Sequence, residues 1–568
     1  MSHALETQLT TLETSGLIRA ADVEPELEYL FRHALIQDAA YGSLLKADRK
    51  ILHRTVGETL ERLFPDRRAE LAPRLAEHFA QAEAITHYSR ALEITGREPA
   101  ARAVLLHLYT ARGRAYELSD QHRQALDNYA EMEARANEQA DPALQLAALM
   151  QRATLYSIPT SYFDPVQGEA ASAQALELAR QLTDRTAEAK IRWNLMLLYM
   201  NTGRYPQAVA AGEHSLALAR ELNLREQLAF TLNDLGMVYN YTGQRARAQA
   251  ARREARDLLR EQGNLPMLTD NLSNSAIAQF LNGQFEQAEA TSTEAYRLSQ
   301  ATANLWGQAY SQGMLGFIYL ERGEIQRAIA VMQTVLVTSE GAGLIMVLAG
   351  LTTDLACTYA WVGAAERGRD LIQLARQHVQ SPLPPALRSW GLAGLARFSI
   401  LTGDLTQAEA DLRESYIGLN LNEWVWITPI IIGLTEAELA LARHAPARAL
   451  DVLDELLSRL RLAEVRAYAP EALYLKGRAL LSLNQPEAAY TLLVEARVEA
   501  ETMGARRMLW PILVALADLE TQHGHAAEAH ALRAQTRSLI AYIADHCPPD
   551  LRESFINLPD VRRVMSEE

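Results

Sequence analysis

The chain has 568 residues, of which 49% are hydrophobic and 22% are charged, and its formal net charge is -15. This acidic balance argues against nucleic acid as the main partner, because such binding relies on clustered lysines and arginines that neutralise phosphates. Two cysteines in so long a chain do not make a disulfide framework, and no apolar run reaches the ~20 residues of a membrane-spanning helix, so we expect a cytoplasmic protein without a membrane partner.

Residues 1–63 do not follow the pattern of the rest of the chain. Leucines at three- to five-residue spacing predict a short helix that stops near Gly16. Two short extended pieces then flank a turn at Glu24-Pro25, and two helical stretches follow over residues 32–41 and 44–63. A helix, a small hairpin and further helices are typical of a winged helix.

From Ala101 to about Ala541 the chain repeats itself. The position held by Gly236 recurs at a constant spacing as a small or apolar residue, at 196, 236, 276, 316, 356 and 396. It continues at 437, 477 and 517, and backwards at about 156 and at Gly113. A second glycine, Gly243 in this copy, recurs in the same way and predicts a tight turn between two helices. A fixed period over most of a chain predicts a stack of helical pairs.

The glycine, tyrosine and alanine spacing resembles the tetratricopeptide pattern, although the usual period of that repeat is about 34 residues. HEAT and armadillo repeats, with periods of about 40 to 47, are the rivals. We predict an all-α fold, a tetratricopeptide-like right-handed α-solenoid superhelix of about eleven two-helix repeats. The predicted domains are a winged-helix-like segment (1–63), the solenoid (64–541) and a C-terminal tail (542–568). Proline-containing breaks are expected at 157–165 and 380–385.

The N-terminal segment resembles one family more specifically. Gly16-Leu-Ile-Arg19, Tyr29-Leu-Phe-Arg-His-Ala-Leu-Ile-Gln-Asp-Ala-Ala-Tyr41 and Leu52-His-Arg54 look like the end of the nucleotide-binding module in bacterial STAND signalling ATPases, adenylate cyclase-associated or LuxR-type. In that family tetratricopeptide repeats follow, and the resemblance implies that His33 senses a bound nucleotide. A local, structural role for this histidine is the alternative.

The rest of the ATPase module is missing. A P-loop needs Gly-x-x-x-x-Gly-Lys-Ser/Thr, and none of the four lysines of this chain follows a glycine. We therefore expect no bound cofactor and a separate nucleotide-binding ATPase as partner. No catalytic or metal-binding motif occurs, and we expect neither an enzyme nor a metal site; the pair His523 and His525 is interpreted as surface residues.

The concave face of the solenoid is the predicted binding surface, since the first helix of each tetratricopeptide unit lines it. Aromatic and amide side chains there suit a peptide or an extended ligand, and packing between repeats is the alternative role of each aromatic. The predicted groove residues are Trp193, Leu197, Phe230, Asn233, Met237, Tyr241, Phe280, Tyr310, Phe317, Trp361, Trp390 and Arg397.

Three functions follow as hypotheses. The first is a non-enzymatic arm of a split or truncated STAND-type regulator that binds a protein, a peptide or a small effector. The second is a free-standing peptide-binding adaptor. The third is a DNA-binding regulator that uses the basic stripe Lys46, Arg49, Lys50 and Arg54. Residues 1–63 contain 7 basic against 10 acidic side chains, so a solvated helix face is the favoured interpretation of the stripe.

Overall fold

The structure is a computed structural model. It describes residues 18–22, 28–31, 84–95, 102–118, 121–158, 162–302, 304–341, 345–381, 383, 385–419 and 427–566. The chain divides into two compact units, 1–148 and 149–568. Within the described ranges, no helix combines the length and the hydropathy needed to cross a bilayer.

The first unit contains a two-stranded antiparallel sheet, β1 (Ile18–Asp22) and β2 (Glu28–Phe31), in which Ile18 pairs with Phe31. The prediction of two extended pieces around Glu24-Pro25 is therefore confirmed. The other predicted elements of residues 1–63 lie outside the described residues. The helices of this unit are α1 (Ala84–Thr95), α2 (Arg102–Leu118) and α3 (His122–Glu138), and α4 (Pro142–Ser157) begins in it.

The second unit is built of helices throughout its described residues. They are α5 (Pro165–Gln181), α6 (Arg185–Asn201), α7 (Tyr205–Glu221), α8 (Arg225–Tyr241), α9 (Arg245–Glu261), α10 (Leu265–Leu281), α11 (Phe285–Ala301), α12 (Leu305–Glu321), α13 (Ile325–Gly341), α14 (Ile345–Trp361), α15 (Ala365–His378), α16 (Pro385–Leu401), α17 (Leu405–Ser415), α18 (Thr428–Ala442), α19 (Pro446–Leu462), α20 (Ala469–Ser482), α21 (Pro486–Met503), α22 (Arg506–Gln522), α23 (Ala526–Asp545), α24 (Pro549–Ile556) and α25 (Pro559–Ser566).

The helices follow the predicted period. Those from α5 to α14 have equal lengths and begin at positions 165, 185, 205, 225, 245, 265, 285, 305, 325 and 345, so the pairs recur at the spacing seen in the sequence. In chain order, the described helices α2 to α23 make eleven successive pairs, as predicted. The breaks at 157–165 and 380–385 fall between helices, and Asp164 caps α5 by accepting hydrogen bonds from the amides of Val166 and Gln167.

Glycine closes the turn inside each regular pair because the backbone there is left-handed. Gly243 has φ of 73° and Gly323 has φ of 76°, values that cost energy for residues with a Cβ. The small residue inside the first helix has a packing role. A Cβ on Gly236 would lie 3.0 Å from Cγ of Arg252, and one on Gly316 would lie 2.9 Å from Cγ of Met332, so the two helices of a pair meet at these points.

The repeated tyrosine completes the packing of a pair. Tyr319 is buried, its hydroxyl donates to Glu289 at 3.1 Å, and the guanidinium of Arg327 lies 3.8 Å from its ring centre. Tyr239, two repeats earlier in the chain, is held in the same way by Glu213 and Arg247. The tyrosines therefore join the first helix of a pair to its own second helix and to the pair before it.

Segments that are far apart in the sequence also touch within the second unit. The amide of Arg466 donates to the carbonyl of Leu281 at 2.7 Å, and the amide of Gln326 donates to the carbonyl of His546 at 2.7 Å. The side chain of Arg367 donates to Asp550 at 2.5 Å. Successive coils of the solenoid thus lie against each other, a consequence of the small rotation added by every repeat.

Candidate functional site

The predicted groove residues fall into two groups. Some are packed in the interior of the second unit, and others stay partly exposed. The buried ones are Trp193, Leu197, Asn233, Phe280 and Trp390. The partly exposed ones are Phe230, Met237, Tyr241, Tyr310, Phe317, Trp361 and Arg397. The role of the set as a ligand-binding surface stays a prediction.

Most of the predicted aromatic residues contact one another or a distant coil. The ring centres of Phe280 and Phe317 are 6.4 Å apart, and those of Phe317 and Trp390 are 6.3 Å apart. Trp361 packs against Phe555 of α24, with ring centres 5.7 Å apart. These rings contribute apolar burial between repeats and between coils.

Polar side chains link the first helices from α6 to α12. The indole of Trp193 donates to Asp234 at 2.7 Å, Asn233 donates to Asp270 at 2.8 Å, and Tyr310 donates to Asn274 at 2.9 Å. Burial raises the pKa of Asp234 to about 7, and the nearby charge of Asp270 adds to that effect. We call these connected residues the polar ladder.

A second polar group lies further along the chain and consists of full charges. Arg507 donates to Glu321 at 2.9 Å and to Glu471 at 2.6 Å. Arg397 contacts the same Glu471 and also donates to Glu438 at 3.0 Å. These five residues, the central ion network, come from the five first helices α12, α16, α18, α20 and α22.

The central ion network is largely removed from water, so each charge depends on its partners. Burial by itself raises the pKa of Glu471, but the two guanidinium groups beside it hold that pKa at about 2. Arg397 is partly exposed, and although the burial of most of its side chain lowers its pKa, the carboxylates of Glu438 and Glu471 keep that pKa well above the ordinary value. Arg397 therefore joins α16 to the next two first helices, α18 and α20, from the position that the sequence assigned to the groove.

A cavity of about 650 Å³ opens beside the polar ladder, and we call it the arginine pocket. Its walls are α8, α9, α10 and Tyr310 of α12, together with Ile427, Ile430 and the turn 463–465. The predicted groove residues Met237, Tyr241 and Tyr310 meet here. The polar lining residues are Asn240, Arg245, Gln249, Arg252, Arg253, Arg256, Asn274, Ser275, Gln279, Asn282, Gln284 and Glu464.

Arg252 is the unusual member of this lining. Its side chain extends from α9 over Gly236 and is only 5% exposed. Its Nε is buried without a hydrogen-bond partner, and no carboxylate among the described residues pairs with its guanidinium. Burial lowers its pKa to about 10, so the group is still charged at neutral pH. The phenols of Tyr241 and Tyr310 are its near polar neighbours.

The neighbouring arginines of α9 are anchored. Arg256 donates to Asn271 at 3.2 Å and to Ser275 at 2.6 Å. Arg245 contacts Asn282 and lies 3.5 Å from the carboxylate of Glu464 in the turn 463–465. Burial lowers the pKa of both arginines. Arg252 is thus held between two cations whose positions are fixed by other residues.

The sequence contains a signal for this pocket that the repeat pattern alone did not reveal. In the other repeats, the position equivalent to Arg252 is taken by Ser172, Gly212, Ser292, Met332, Ile372 and Leu412. The position equivalent to Arg245 is taken by Tyr205, Phe285, Ile325, Ala365 and Leu405. One repeat therefore carries cations where its sister repeats carry small or apolar residues, and such a departure from the repeat indicates a specialised site.

The remaining candidates are a cluster of possible metal ligands and the N-terminal residues that were predicted to sense a nucleotide or bind DNA. Glu520, His523 and His525 bring one ligand atom each within 4.8 Å of one another, but Glu520 already accepts hydrogen bonds from Tyr490 and His525. His33 and the basic stripe around Lys46 lie outside the described residues. The predicted nucleotide-sensing and DNA-binding roles of those residues therefore stay predictions.

The paired helices, the left-handed glycines and the buried tyrosines define a tetratricopeptide-like α-solenoid. Neither a family model nor a curated protein sequence matches the chain. Among solved structures, the chain is similar to a Rap protein complexed with competence and sporulation factor, with 13% identity, 69% of this chain and 99% of that chain covered, and a TM-score of 0.42.

Two further solved structures are similar to the chain. The similarity to the APC/C hetero-tetramer Cut9-Hcn1 has 13% identity, covers 87% of this chain and 94% of that chain, and has a TM-score of 0.46. The similarity to the human IFIT1 dimer with m7Gppp-AAAA has 14% identity, covers 72% of this chain and 94% of that chain, and has a TM-score of 0.36. The class assignment therefore rests on the helix pairing and residue register of this chain itself.

Proposed function

We propose that this chain is a non-enzymatic interaction scaffold, the tetratricopeptide arm of a split or truncated STAND-type regulator. It binds a protein, a peptide or a small effector on the inner surface of its solenoid. A separate nucleotide-binding ATPase supplies the P-loop that the sequence lacks. The resemblance of residues 16–54 to the STAND module supports the regulatory part of this proposal.

The arginine pocket supports the binding part. Met237, Tyr241 and Tyr310, three residues of the predicted groove, line one cavity of about 650 Å³, within the range of about 300 to 1,000 Å³ typical of ligand sites. Six amide side chains lie in the same lining and offer both donors and acceptors. This cavity is the single observation that carries the proposal.

The pocket is also pre-formed, which favours tight binding. Its rim is held by backbone hydrogen bonds of 2.7 and 3.1 Å from Arg466 and Ala467 to the carbonyl of Leu281. The pairing of Arg245 with Glu464 braces the same rim. A ligand therefore meets groups that already have their positions, and little conformational entropy is lost on binding.

The test uses the intact chain as bait. Proteins captured from a lysate are identified by mass spectrometry, and the strongest is purified together with any P-loop ATPase encoded beside this protein. A pocket variant, Met237→Ala with Tyr241→Ala and Gln279→Ala, is expected to bind the purified partner at least about tenfold more weakly.

The matched control changes exposed residues of the second helices α9 and α11, Asp257→Ala with Gln287→Ala, and is expected to bind as the wild type does. Circular dichroism verifies that both variants are folded. A folded pocket variant with wild-type affinity would contradict the groove proposal. Binding to a partner but not to the ATPase would replace the split regulator by the free-standing adaptor.

A further inference from the structure

We infer that the arginine pocket binds a small ligand that carries a phosphate group, and that the guanidinium of Arg252 holds this phosphate. The inference rests on the proposed function, because it names the chemistry of the same site. Four observations support it: the state of Arg252, the charge of the lining, the size of the cavity and the repeat register.

The state of Arg252 is the first observation. A charged group that is almost fully buried and unpaired costs free energy, and folded proteins retain such groups where a function depends on them. Arg252 remains charged at neutral pH, since its pKa is about 10 even after burial. Arg252 lines the cavity, so an oxyanion there would supply the negative partner that no described carboxylate gives to its guanidinium.

The charge of the lining indicates the class of anion. Arg245, Arg252, Arg253 and Arg256 face the cavity, and Glu464 is the one carboxylate among the described residues that line it. This surplus of positive charge favours a group with more than one negative charge. Phosphate carries nearly two charges at neutral pH and has several acceptor oxygens, whereas a carboxylate carries one charge and two oxygens. Arginine forks are well suited to phosphate.

The size and the neutral lining indicate what the phosphate is attached to. A cavity of about 650 Å³ is much larger than a phosphate ion and is of the size that encloses a small organic molecule. Tyr241 and Tyr310 provide flat apolar surfaces. Gln279 provides an amide whose Oε1 is buried and has no hydrogen-bond partner among the described residues. The lining thus fits a phosphorylated small molecule with a polar body.

The repeat register provides the fourth observation and a conservative substitution. Met332 occupies the position of Arg252 two repeats further on, where it packs against Gly316 as Arg252 packs against Gly236. Methionine therefore fits this place in a helix pair. Packing therefore does not require an arginine at this position. Ligand binding is the explanation that remains for its charge.

The experiment measures the binding of inorganic phosphate to the full chain by isothermal titration calorimetry, with acetate as the carboxylate probe and sodium chloride to hold ionic strength constant. Wild type is expected to bind phosphate and to show a higher thermal midpoint in its presence. Arg252→Met is expected to weaken phosphate binding by at least about tenfold. Arg256→Leu, which copies Leu216 and Leu336 of the sister repeats, is expected to weaken it as well.

The matched control is Arg260→Met, which removes the same charge from an exposed position of α9 outside the pocket. It is expected to leave phosphate binding unchanged. Wild-type affinity in Arg252→Met, equal weakening in Arg260→Met, tighter binding of acetate than of phosphate, or no phosphate binding up to about 10 mM would each overturn the inference.

The result separates the two proposals. If phosphate does not bind but the pocket variant Met237→Ala with Tyr241→Ala and Gln279→Ala still loses its partner, the phosphate inference falls and the groove proposal stands. If phosphate binds and the pocket variant keeps its protein partner, the pocket is a small-molecule site and partner binding lies elsewhere on the chain.

Discussion

Two buried arginine environments in the second unit differ in their pairing. In the central ion network, Arg507 reaches Glu321 at 2.9 Å and Glu471 at 2.6 Å, and Arg397 contacts Glu438 and Glu471. In the arginine pocket, Arg252 is also buried but has no carboxylate partner among the described residues. In the central ion network, carboxylates of the protein itself neutralise the arginines. In the arginine pocket, the guanidinium of Arg252 is left for a ligand.

The difference separates structural charges from binding charges. Arg507 pairs with Glu321, which lies far earlier in the chain, so this pair fixes how two coils lie on one another. Arg397 joins the successive repeats that contain α16, α18 and α20. Arg252 forms no such pair. The aliphatic part of its side chain occupies a position that Met332 fills in another repeat, so an apolar side chain can replace it in the packing. Removing a paired arginine and removing an unpaired one should therefore change stability in opposite directions.

The largest effect is expected for Arg507→Met. This change leaves Glu321 and Glu471 buried with fewer cations, and breaking a buried pair typically costs about 3–5 kcal/mol. Urea denaturation measures the loss. The control Arg461→Met removes an exposed arginine paired with Glu495 and should cost less than about 1 kcal/mol. Equal, small losses in the free energy of unfolding of both variants would contradict a structural role for the central ion network.

Asp234 extends this comparison of buried charges to a buried carboxylate. It faces Asp270, the indole of Trp193, the amide of Asn233 and, further off, Lys190, and its pKa in the folded chain is about 7. An unfolded chain has an aspartate pKa of about 3.9, so between these pH values the folded state binds the additional proton. The contribution of Asp234 to stability is therefore greatest below about pH 4 and is lost as the pH rises through about 7.

The matched variant is Asp234→Asn, which cannot titrate. The stability of wild type relative to this variant should fall by up to about 1.4 kcal/mol for each pH unit between about 4 and 7. Urea denaturation at a series of pH values gives the difference. A constant difference over this range would show that Asp234 titrates at its ordinary pKa, and one that grows with pH would show a lowered pKa; either result would contradict the prediction.

The repeat architecture could be predicted from the sequence because the information is local. Gly243 and Gly323 mark turns, and Gly236 and Gly316 mark helix contacts, each within a single pair. The eleven pairs and the two proline-containing breaks were predicted for the same reason. Helix length and turn chemistry within a single repeat are sufficient to define one unit.

The site was harder to predict because it depends on the coiling of the whole array. The turn 463–465 meets α9 although the two segments are far apart in the sequence, and the sequence does not state the rotation per repeat that brings them together. Arg397 and Trp390 were assigned to an open face although Glu471 contacts Arg397 and Phe317 packs against Trp390, each from two repeats away. The sequence signal for the site was that an arginine, Arg252, stands where the other repeats carry small or apolar residues.

The central claim is that Arg252 is kept for a ligand at a cost to stability, and Arg252→Met tests it most directly. Urea denaturation of wild type and variant is compared in a buffer without phosphate or carboxylate. We expect the variant to be more stable by about 1 kcal/mol, because methionine fits the position and removes an unpaired buried charge. A loss of stability of similar size would show that the protein itself compensates Arg252, and would contradict the account.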